Sequence, residues 1–196
     1  MQYKRILTVQ DISCLGQCSM TVAMPILSAC GLETCILPSA VLSTHTGGFK
    51  GFTFRDLTAD FAGIIEHWKS EKISFDAVYT GYLGNPEQVE YVKRIAAELV
   101  REGGKLIVDP AMADNGKLYT GFDAAYAAKM RELCACADVI LPNITEASLL
   151  TGTEYKESYD EEYTDMLTDK LLSLGAKSVV LTGVSYDADS TGVLMR

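Results

Sequence analysis

Short apolar runs recur along this chain, and the segments between them are long enough to hold helices. The six runs span residues 6–9, 34–37, 77–80, 106–108, 139–141 and 179–181. Near-continuous apolar runs of this length are typical of strands that are buried on both faces of a sheet. Strands that alternate with helix-length segments indicate βαβ units, whose crossovers place helices on both faces. The sequence therefore predicts a three-layer α/β/α fold with a mostly parallel central sheet.

Two of the intervening segments show helical periodicity. Residues 86–102 carry apolar side chains on one helical face, and Gly103-Gly104 is expected to end that helix as its C-terminal cap. A second helix is expected over residues 163–173, with Gly175 after it. Residues 190–196 resemble the start of a strand and end without a cap or a polar tail. We therefore expect one domain over residues 1–196 that is incomplete at its C-terminus.

Charge and composition exclude several kinds of partner. The net charge of -9 argues against nucleic acid and against an anionic membrane surface. The most apolar stretch after the first run, residues 22–32, contains Pro25 and is too short to span a bilayer. The six cysteines form no Cys-x-x-Cys pair, and the two histidines complete no zinc-ligand spacing. We predict a cytoplasmic protein with reduced thiols.

Each predicted strand leads into polar residues. Because the carboxyl ends of parallel strands lie along one edge of a sheet, these residues predict a ligand site at that edge. The site lacks two familiar nucleotide motifs, since neither Gly-x-Gly-x-x-Gly nor a Walker A sequence is present. The polar segments are residues 10–16, 43–48, 80–84, 109–116, 143–146 and 182–183.

The pair Asn143 and Glu146 has two interpretations. The spacing Asn-x-x-Glu at the start of a helix is that of a capping box, in which both side chains bind backbone N–H groups. The same spacing places an amide and a carboxylate at the edge where a metal and phosphates could bind. Likewise, Asp109-Pro110 and Asp114-Asn115-Gly116 are common turn sequences as well as possible ligands. Spacing alone leaves these alternatives open.

Four segments, taken in order, resemble the pyridoxal/pyridoxamine kinases of the ribokinase-like superfamily. Ser43-Thr44-His45-Thr46-Gly47 is similar to a family Ser-Asn-His-Thr-Gly segment, and Thr80-Gly81-Tyr82 to a Thr-Gly-Tyr/Phe segment. Residues 109–119 are similar to Asp-Pro-Val-Met-Gly-Asp-x-Gly-x-x-Tyr. Pro142-Asn143-Ile144-Thr145-Glu146-Ala147 is similar to Pro-Asn-x-x-Glu-Ala. The resemblance covers essentially the whole chain.

The resemblance implies roles for individual residues. A pyridine pocket would be lined by Asp11, Ser13, Thr46 and Tyr82. Mg²⁺ would be held by Asp109 and Glu146, partly through water, as suits an ion that takes one or two carboxylates. The nucleotide and its phosphates would be approached by Asp109, Asp114, Tyr119, Asn143, Glu146 and Thr182.

The chain departs from the family in three respects. The family's Gly-Thr-Gly-Asp motif, which supplies the anion hole and the base, has no match, so the catalytic base is expected beyond Arg196 and no catalytic residue within residues 1–196. Ala111 and Ala113 replace residues that are usually Val and Gly. Asp11 stands where some relatives have serine. The residues 1–196 alone are therefore expected to be inactive.

The expected function is that of an enzyme, an ATP-dependent kinase acting on the 5′-hydroxymethyl group of pyridoxal, pyridoxine or pyridoxamine. Two alternatives remain open: a hydroxymethylpyrimidine (phosphate) kinase, and a non-catalytic protein that binds a B6 vitamer or a nucleotide. The resemblance implies Mg²⁺ and ATP, with K⁺ as a further candidate, and a homodimer.

Overall fold

The computed structural model describes residues 3–187 and 189–196. These residues divide into two compact units; the first ends at Leu106 and the second begins at Ile107. The single-domain organisation expected from the sequence stays a prediction, and the two units are described in turn.

The first unit contains a five-stranded sheet in the order β5-β4-β1-β2-β3. Strand β1 is parallel to both β2 and β4, whereas the short β3 is antiparallel to β2. The elements are β1 (Arg5–Ser13), α1 (Met20–Ala29), β2 (Glu33–Leu42), β3 (Phe54–Asp56), α2 (Thr58–Ser70), β4 (Phe75–Thr80), α3 (Pro86–Glu98) and β5 (Val100–Val108), whose last two residues belong to the second unit.

The central strand and the third helix show why the sequence adopts this arrangement. Leu7 and Val9 of β1, and Thr8 on the opposite face, are all fully buried, so this central strand is covered on both faces of the sheet. Helix α3 begins with Asn85 as its N-cap, whose side chain accepts a hydrogen bond from the Gln88 N–H, and with Pro86 in its first turn. Its apolar face is buried through Val89, Val92 and Ile95.

The second unit has a sheet in the order β10-β9-β8-β5 and a separate two-stranded hairpin. Strand β8 is parallel to both β5 and β9, and β10 is antiparallel to β9. The elements after β5 are β6 (Ala113–Asp114), β7 (Lys117–Leu118), α4 (Ala124–Ala135), β8 (Val139–Ile140), α5 (Ile144–Thr151), α6 (Glu161–Ser173), β9 (Ser178–Val184) and β10 (Gly192–Met195).

These elements confirm the predicted α/β fold, with mostly parallel strands flanked by helices. All six apolar runs coincide with strands, although Leu141 lies one residue beyond the end of β8. The antiparallel pairings involve β3, β10 and the β6–β7 hairpin, all of which lie outside the six runs. Within the described residues, no helix is long and apolar enough to cross a membrane.

The predicted end of the helix over residues 86–102 is wrong. Helix α3 ends at Glu98, and Val100–Val108 forms β5, so Gly103 and Gly104 lie inside a strand. Contacts with the neighbouring strand β4 explain the difference, because Arg101 forms an ion pair with Asp76 of β4 at 3.1 Å. Gly103 has a φ of +76°, and a Cβ added at Gly104 would lie 2.5 Å from the Val100 side chain and 2.9 Å from the Asp76 carbonyl oxygen, so both positions favour glycine.

Gly175, between α6 and β9, offers a test of close backbone packing. Its φ is +126°, and an added Cβ would lie 2.6 Å from the Ala135 carbonyl oxygen at the end of α4. We expect Gly175→Ala to lower the free energy of unfolding by about 2–4 kcal/mol, because backbone strain and a steric clash add together. The measurement is urea unfolding followed by circular dichroism.

Gly121→Ala is the matched control. Gly121 also has a positive φ, +95°, but nothing lies within 4 Å of an added Cβ. This variant should lose only the strain contribution, about 1–2 kcal/mol. Equal losses in the two variants would show that the approach of Gly175 to Ala135 has no energetic consequence.

Candidate active site

Two carboxylates lie close together in the second unit, Asp109 half-buried and Glu146 buried. Asp109 follows β5 directly, and Glu146, which is 2% exposed, lies in the first turn of α5. Burial raises the pKa of Asp109 to about 7. Burial also raises the pKa of Glu146 to about 8, and the negative charge of Asp109 adds to this rise. Within the part of the chain that the structure describes, no lysine or arginine forms an ion pair with either carboxylate, so the pair lacks a countercharge.

The side chains of Asn143 and Glu146 form a capping box. The Asn143 Oδ1 accepts a hydrogen bond from the Glu146 N–H at 2.9 Å, and the Glu146 Oε2 accepts one from the Asn143 N–H at 2.9 Å. The capping interpretation of this spacing is therefore confirmed. Asn143 and Glu146 also make contacts outside the capping box, because both bind the segment after β5.

The segment after β5 is held by the same two side chains. Glu146 Oε1 accepts hydrogen bonds from the N–H groups of Met112 at 3.1 Å and Ala113 at 3.5 Å. Asn143 Nδ2 donates to the Ala113 carbonyl oxygen at 2.8 Å. The capping box thus fixes the position of the polypeptide that leads from Asp109 to the β6–β7 hairpin.

The carboxylate pair fits a divalent cation with oxygen ligands. The Asp109 side chain makes no hydrogen bond with any described residue, which leaves its oxygens available as direct ligands. Both Glu146 oxygens already accept N–H groups, which suits contact with a metal through water. Mg²⁺ commonly takes one or two carboxylates and keeps several waters. No cluster of three or more His, Cys, Asp or Glu side chains suited to a metal occurs among residues 3–187 and 189–196, and a sparse magnesium site does not need one.

The other predicted nucleotide residues lie in the same unit. Burial raises the pKa of Tyr119 to about 12, and the nearby charges of Glu146, Asp114 and Asp109 contribute to this rise. Asp114 is exposed at the hairpin, where its side chain accepts a hydrogen bond from the Asn115 N–H at 2.9 Å. Thr182 forms a parallel bridge with Asn143. The structure therefore brings all six predicted nucleotide-binding residues into this one unit.

Arg196, beyond which the catalytic base is expected, has a structural role in the second unit. Its backbone N–H donates to the Val179 carbonyl oxygen at 2.9 Å, and its carbonyl oxygen accepts from the Val179 N–H at 2.7 Å. Its guanidinium forms ion pairs with Asp165, at 2.7 Å, and with Asp169, both on α6. These contacts hold the end of the described chain against β9 and α6. None of them involves a residue of the candidate site. The position of the base stays a prediction.

The predicted pyridine-binding residues lie in the first unit. Asp11 and Ser13, near the end of β1, are 5% and 1% exposed, and the Ser13 Oγ donates a hydrogen bond to Asp11 Oδ2 at 2.9 Å. Burial raises the pKa of Tyr82 to about 12, with further contributions from the charges of Asp11 and Asp56. Asp11, Ser13 and Tyr82 are thus neighbours. Thr46 is exposed in the segment after β2, and no side-chain hydrogen bond to a described residue joins it to these three.

Sequence reasoning missed a buried amide that holds the Tyr82 segment. Gln88 is fully buried; its Oε1 accepts a hydrogen bond from the Gly84 N–H at 2.7 Å, and its Nε2 donates to the Ser39 carbonyl oxygen at 2.9 Å. The Ser39 Oγ donates to the Tyr82 carbonyl oxygen at 2.8 Å. The spacing Asn85-x-x-Gln88, which is that of a capping box, is the signal that could have identified it.

His45, in the segment that carries Thr46, has a structural role. Its ring packs edge-on against Phe49 at 5.0 Å between centroids. A Cβ added at Gly16 would lie 2.2 Å from His45 Cδ2, so only glycine fits beneath the ring. The segments that follow β1 and β2 therefore pack directly on each other.

Known proteins share this fold. The sequence profile of the phosphomethylpyrimidine kinase family matches residues 27–195. A protein of Bacteroides thetaiotaomicron VPI-5482, assigned as a phosphomethylpyrimidine kinase and solved in a form with pyridoxal, is 41% identical. It has a TM-score of 0.89, and the match covers 94% of this chain and 64% of that one.

Two pyridoxal kinases are also similar. The enzyme from Lactobacillus plantarum is 34% identical with a TM-score of 0.89, and the match covers 99% of this chain and 68% of that one. The enzyme from Leishmania donovani, solved with ADP and pyridoxamine, is 26% identical with a TM-score of 0.84, over 94% of this chain and 64% of that one.

The chain matches only part of the length of its curated relatives. It spans 63% of the pyridoxal kinase of Dictyostelium discoideum and 48% of each of two further relatives, from Saccharomyces cerevisiae and Schizosaccharomyces pombe. The family profile nevertheless matches well over half of the chain, and the fold agrees with that of the solved relatives. The chain therefore belongs to the phosphomethylpyrimidine kinase family, and its relatives include pyridoxal kinases.

Proposed function

We propose that the protein is a kinase that transfers a phosphoryl group from ATP to the 5′-hydroxymethyl group of pyridoxal, pyridoxine or pyridoxamine. The observation that carries the proposal is the close pair of Asp109 and Glu146, which has no countercharge among residues 3–187 and 189–196 and whose Glu146 lies in the first turn of the capped helix α5. Further support comes from the pyridoxal bound to the Bacteroides relative and from the ADP and pyridoxamine bound to the Leishmania enzyme.

The proposed roles follow from the contacts in each unit. In the first unit, Tyr82 offers an aromatic face for the pyridine ring, and Asp11, Ser13 and Thr46 offer polar contacts. In the second unit, Asp109 and, through water, Glu146 would hold Mg²⁺, and Asp114, Tyr119, Asn143 and Thr182 would contact the nucleotide. Mg²⁺ bound there would neutralise phosphate charge, and phosphoryl transfer depends mainly on such positioning and charge stabilisation.

The proposal extends to the protein's location in the cell, its oligomeric state and the small molecules it requires. We place it in the cytoplasm as a homodimer, with ATP and Mg²⁺ as its small-molecule requirements and K⁺ as a further candidate. Residues 1–196 contain no Gly-Thr-Gly-Asp motif, so we assign none of them the role of accepting the proton of the substrate hydroxyl.

A second candidate is a hydroxymethylpyrimidine (phosphate) kinase. The description of the matching family profile favours it. The two substrates are both small aromatic heterocycles with a hydroxymethyl group, so the same carboxylate pair and the same aromatic side chain would serve either reaction. The choice between them is a matter of measurement.

The test is to incubate the product of the complete gene with MgATP and each of four acceptors: pyridoxal, pyridoxine, pyridoxamine and hydroxymethylpyrimidine. Mass spectrometry of the products should show a phosphorylated B6 vitamer. Tyr82→Ala should weaken binding of the vitamer about 3- to 10-fold through loss of aromatic stacking, and Tyr82→Phe should preserve it. Phosphorylation of the pyrimidine alone would establish the second candidate. Binding of a vitamer without phosphorylation of any acceptor would establish a non-catalytic binding protein.

A further inference from the structure

The β6–β7 hairpin after Asp109 is held by residues that the capping box does not account for. We propose that Thr145 and Tyr155 are positioning residues that hold this hairpin in a single conformation before the nucleotide binds. The proposal deepens the proposed function and rests on it, because it makes the hairpin a preformed wall of the nucleotide site. Neither residue is among those that the resemblance to pyridoxal kinases assigns a role.

The hairpin has a tightly specified turn. Asn115 and Gly116 have φ values of +49° and +75°, and positive φ at both central residues is the requirement of a two-residue type I′ turn. Ala113 pairs with Leu118, and Asp114 pairs with Lys117. The backbone at the tip is therefore determined locally, and what remains is how the whole hairpin is held.

The tip of the hairpin is held by two side chains that follow it in the sequence. Thr145, in the first turn of α5, is 3% exposed, and its Oγ1 accepts a hydrogen bond from the Gly116 N–H at 3.0 Å. The ring of Tyr155 lies against Gly116, since an added Cβ would be 2.8 Å from Tyr155 Cδ1 and 2.9 Å from Cε1. A hydrogen bond and a ring contact thus converge on one residue.

The base of the hairpin is held by the same helix turn. Glu146 accepts hydrogen bonds from the Met112 and Ala113 N–H groups, and Asn143 donates to the Ala113 carbonyl oxygen. Three side chains of one turn, those of Asn143, Thr145 and Glu146, therefore bind the backbone at both ends of the hairpin. A displacement of the hairpin would break these bonds together.

This arrangement has a consequence for binding. A site that is fixed in advance does not lose conformational freedom when its ligand binds. The contacts of Thr145 and Tyr155 should therefore act on nucleotide affinity more than on the chemical step. Neither side chain needs to touch the nucleotide for this effect.

The first test measures amide exchange and does not depend on enzyme activity. In the product of the complete gene, without nucleotide, exchange of the Gly116 amide proton is followed by NMR in the wild type, Thr145→Val and Thr145→Ser. Valine has the shape of threonine but cannot accept the hydrogen bond, so exchange should become about 3- to 30-fold faster. Serine should restore protection. Tyr155→Ala should also speed exchange, while Tyr155→Phe, which keeps the ring, should not.

The second test measures kinetics with MgATP. Thr145→Val should raise the KM for ATP about 3- to 10-fold with kcat nearly unchanged, and Thr145→Ser should rescue it. An unprotected Gly116 amide in the wild type, or equal exchange in Thr145→Val and wild type, would overturn the proposal whatever the enzyme's activity. A loss confined to kcat would also overturn it. If the exchange results hold and no acceptor is phosphorylated, the proposed function fails while the positioning role of these residues stands.

Discussion

Replacing Asp109 by asparagine should lower the turnover of the complete gene product by about 10²- to 10³-fold. A bound metal ion contributes several kcal/mol to stabilising charge in the transition state, and each 1.36 kcal/mol is about a tenfold change in rate. Asp109 is the carboxylate of the pair with no side-chain hydrogen bond to the described residues, so its proposed role is direct contact with Mg²⁺. The measurement is kcat and the Mg²⁺ concentration for half-maximal rate, with pyridoxal and ATP.

Glu157→Gln is the matched control, because Glu157 is an exposed acid in the same unit that has no part in the proposed site. It removes the same charge and should leave both quantities unchanged. Glu146→Gln is a poorer test, because both Glu146 oxygens accept backbone N–H groups and an amide NH₂ would face a donor. Full turnover of Asp109→Asn at limiting Mg²⁺ would show that Asp109 is not a ligand.

The free energy of unfolding of the metal-free protein should fall as the pH rises from about 4 to about 7, because folding raises the pKa of Asp109 from 3.8 to about 7. In this window the folded protein binds a proton that the unfolded chain has released, so stability decreases with pH and levels off above the window. At 1.36 kcal/mol per pKa unit, the rise in the pKa of Asp109 accounts for a fall in the free energy of unfolding of at most about 4 kcal/mol. Glu146, whose pKa is raised to about 8, should extend the decline to slightly higher pH.

Mg²⁺ should restore stability at pH 8, where both carboxylates are charged. At 100 times the dissociation constant, a ligand that binds only the folded protein adds about 2.7 kcal/mol. The measurement is urea unfolding at pH 5 and pH 8, with and without Mg²⁺. Asp109→Asn should show a smaller decline between the two pH values and a smaller response to Mg²⁺. If this variant and the wild type respond identically to pH and to Mg²⁺, the pair does not bind the ion.

The apolar runs predicted the strands because each run belongs to a strand with neighbours on both sides. Leu7 and Val9 in β1, and Val179 and Leu181 in β9, are fully buried. Strand β3 was not predicted. Its residues Phe54, Arg55 and Asp56 are all exposed at the edge of the sheet, so no apolar run marks them.

Local patterns failed where contacts between distant residues decide the structure. Val100 continues the apolar face of α3, and Gly103-Gly104 has the composition of a helix cap. The ion pair of Arg101 with Asp76 and the close approach of Gly104 to the Asp76 carbonyl oxygen belong to the pairing with β4 instead. Helical periodicity extends a helix until a breaker appears, and it contains no information about a strand elsewhere in the chain.

The sequence by itself determined the fold class, the family resemblance and the identity of the polar residues that end the strands. It could do so because strands that are buried on both faces are near-continuously apolar and because the motif residues lie close together in the chain. Only the tertiary structure decided that Glu146 both caps α5 and binds the segment after β5. Only the tertiary structure placed Glu146 near Asp109, with no lysine or arginine of the described residues paired to either, because a raised pKa depends on burial and on charges from distant parts of the chain. The same holds for Thr145 and Tyr155, whose contacts with Gly116 cannot be read from sequence spacing, and for the contact of Gln88 with Ser39.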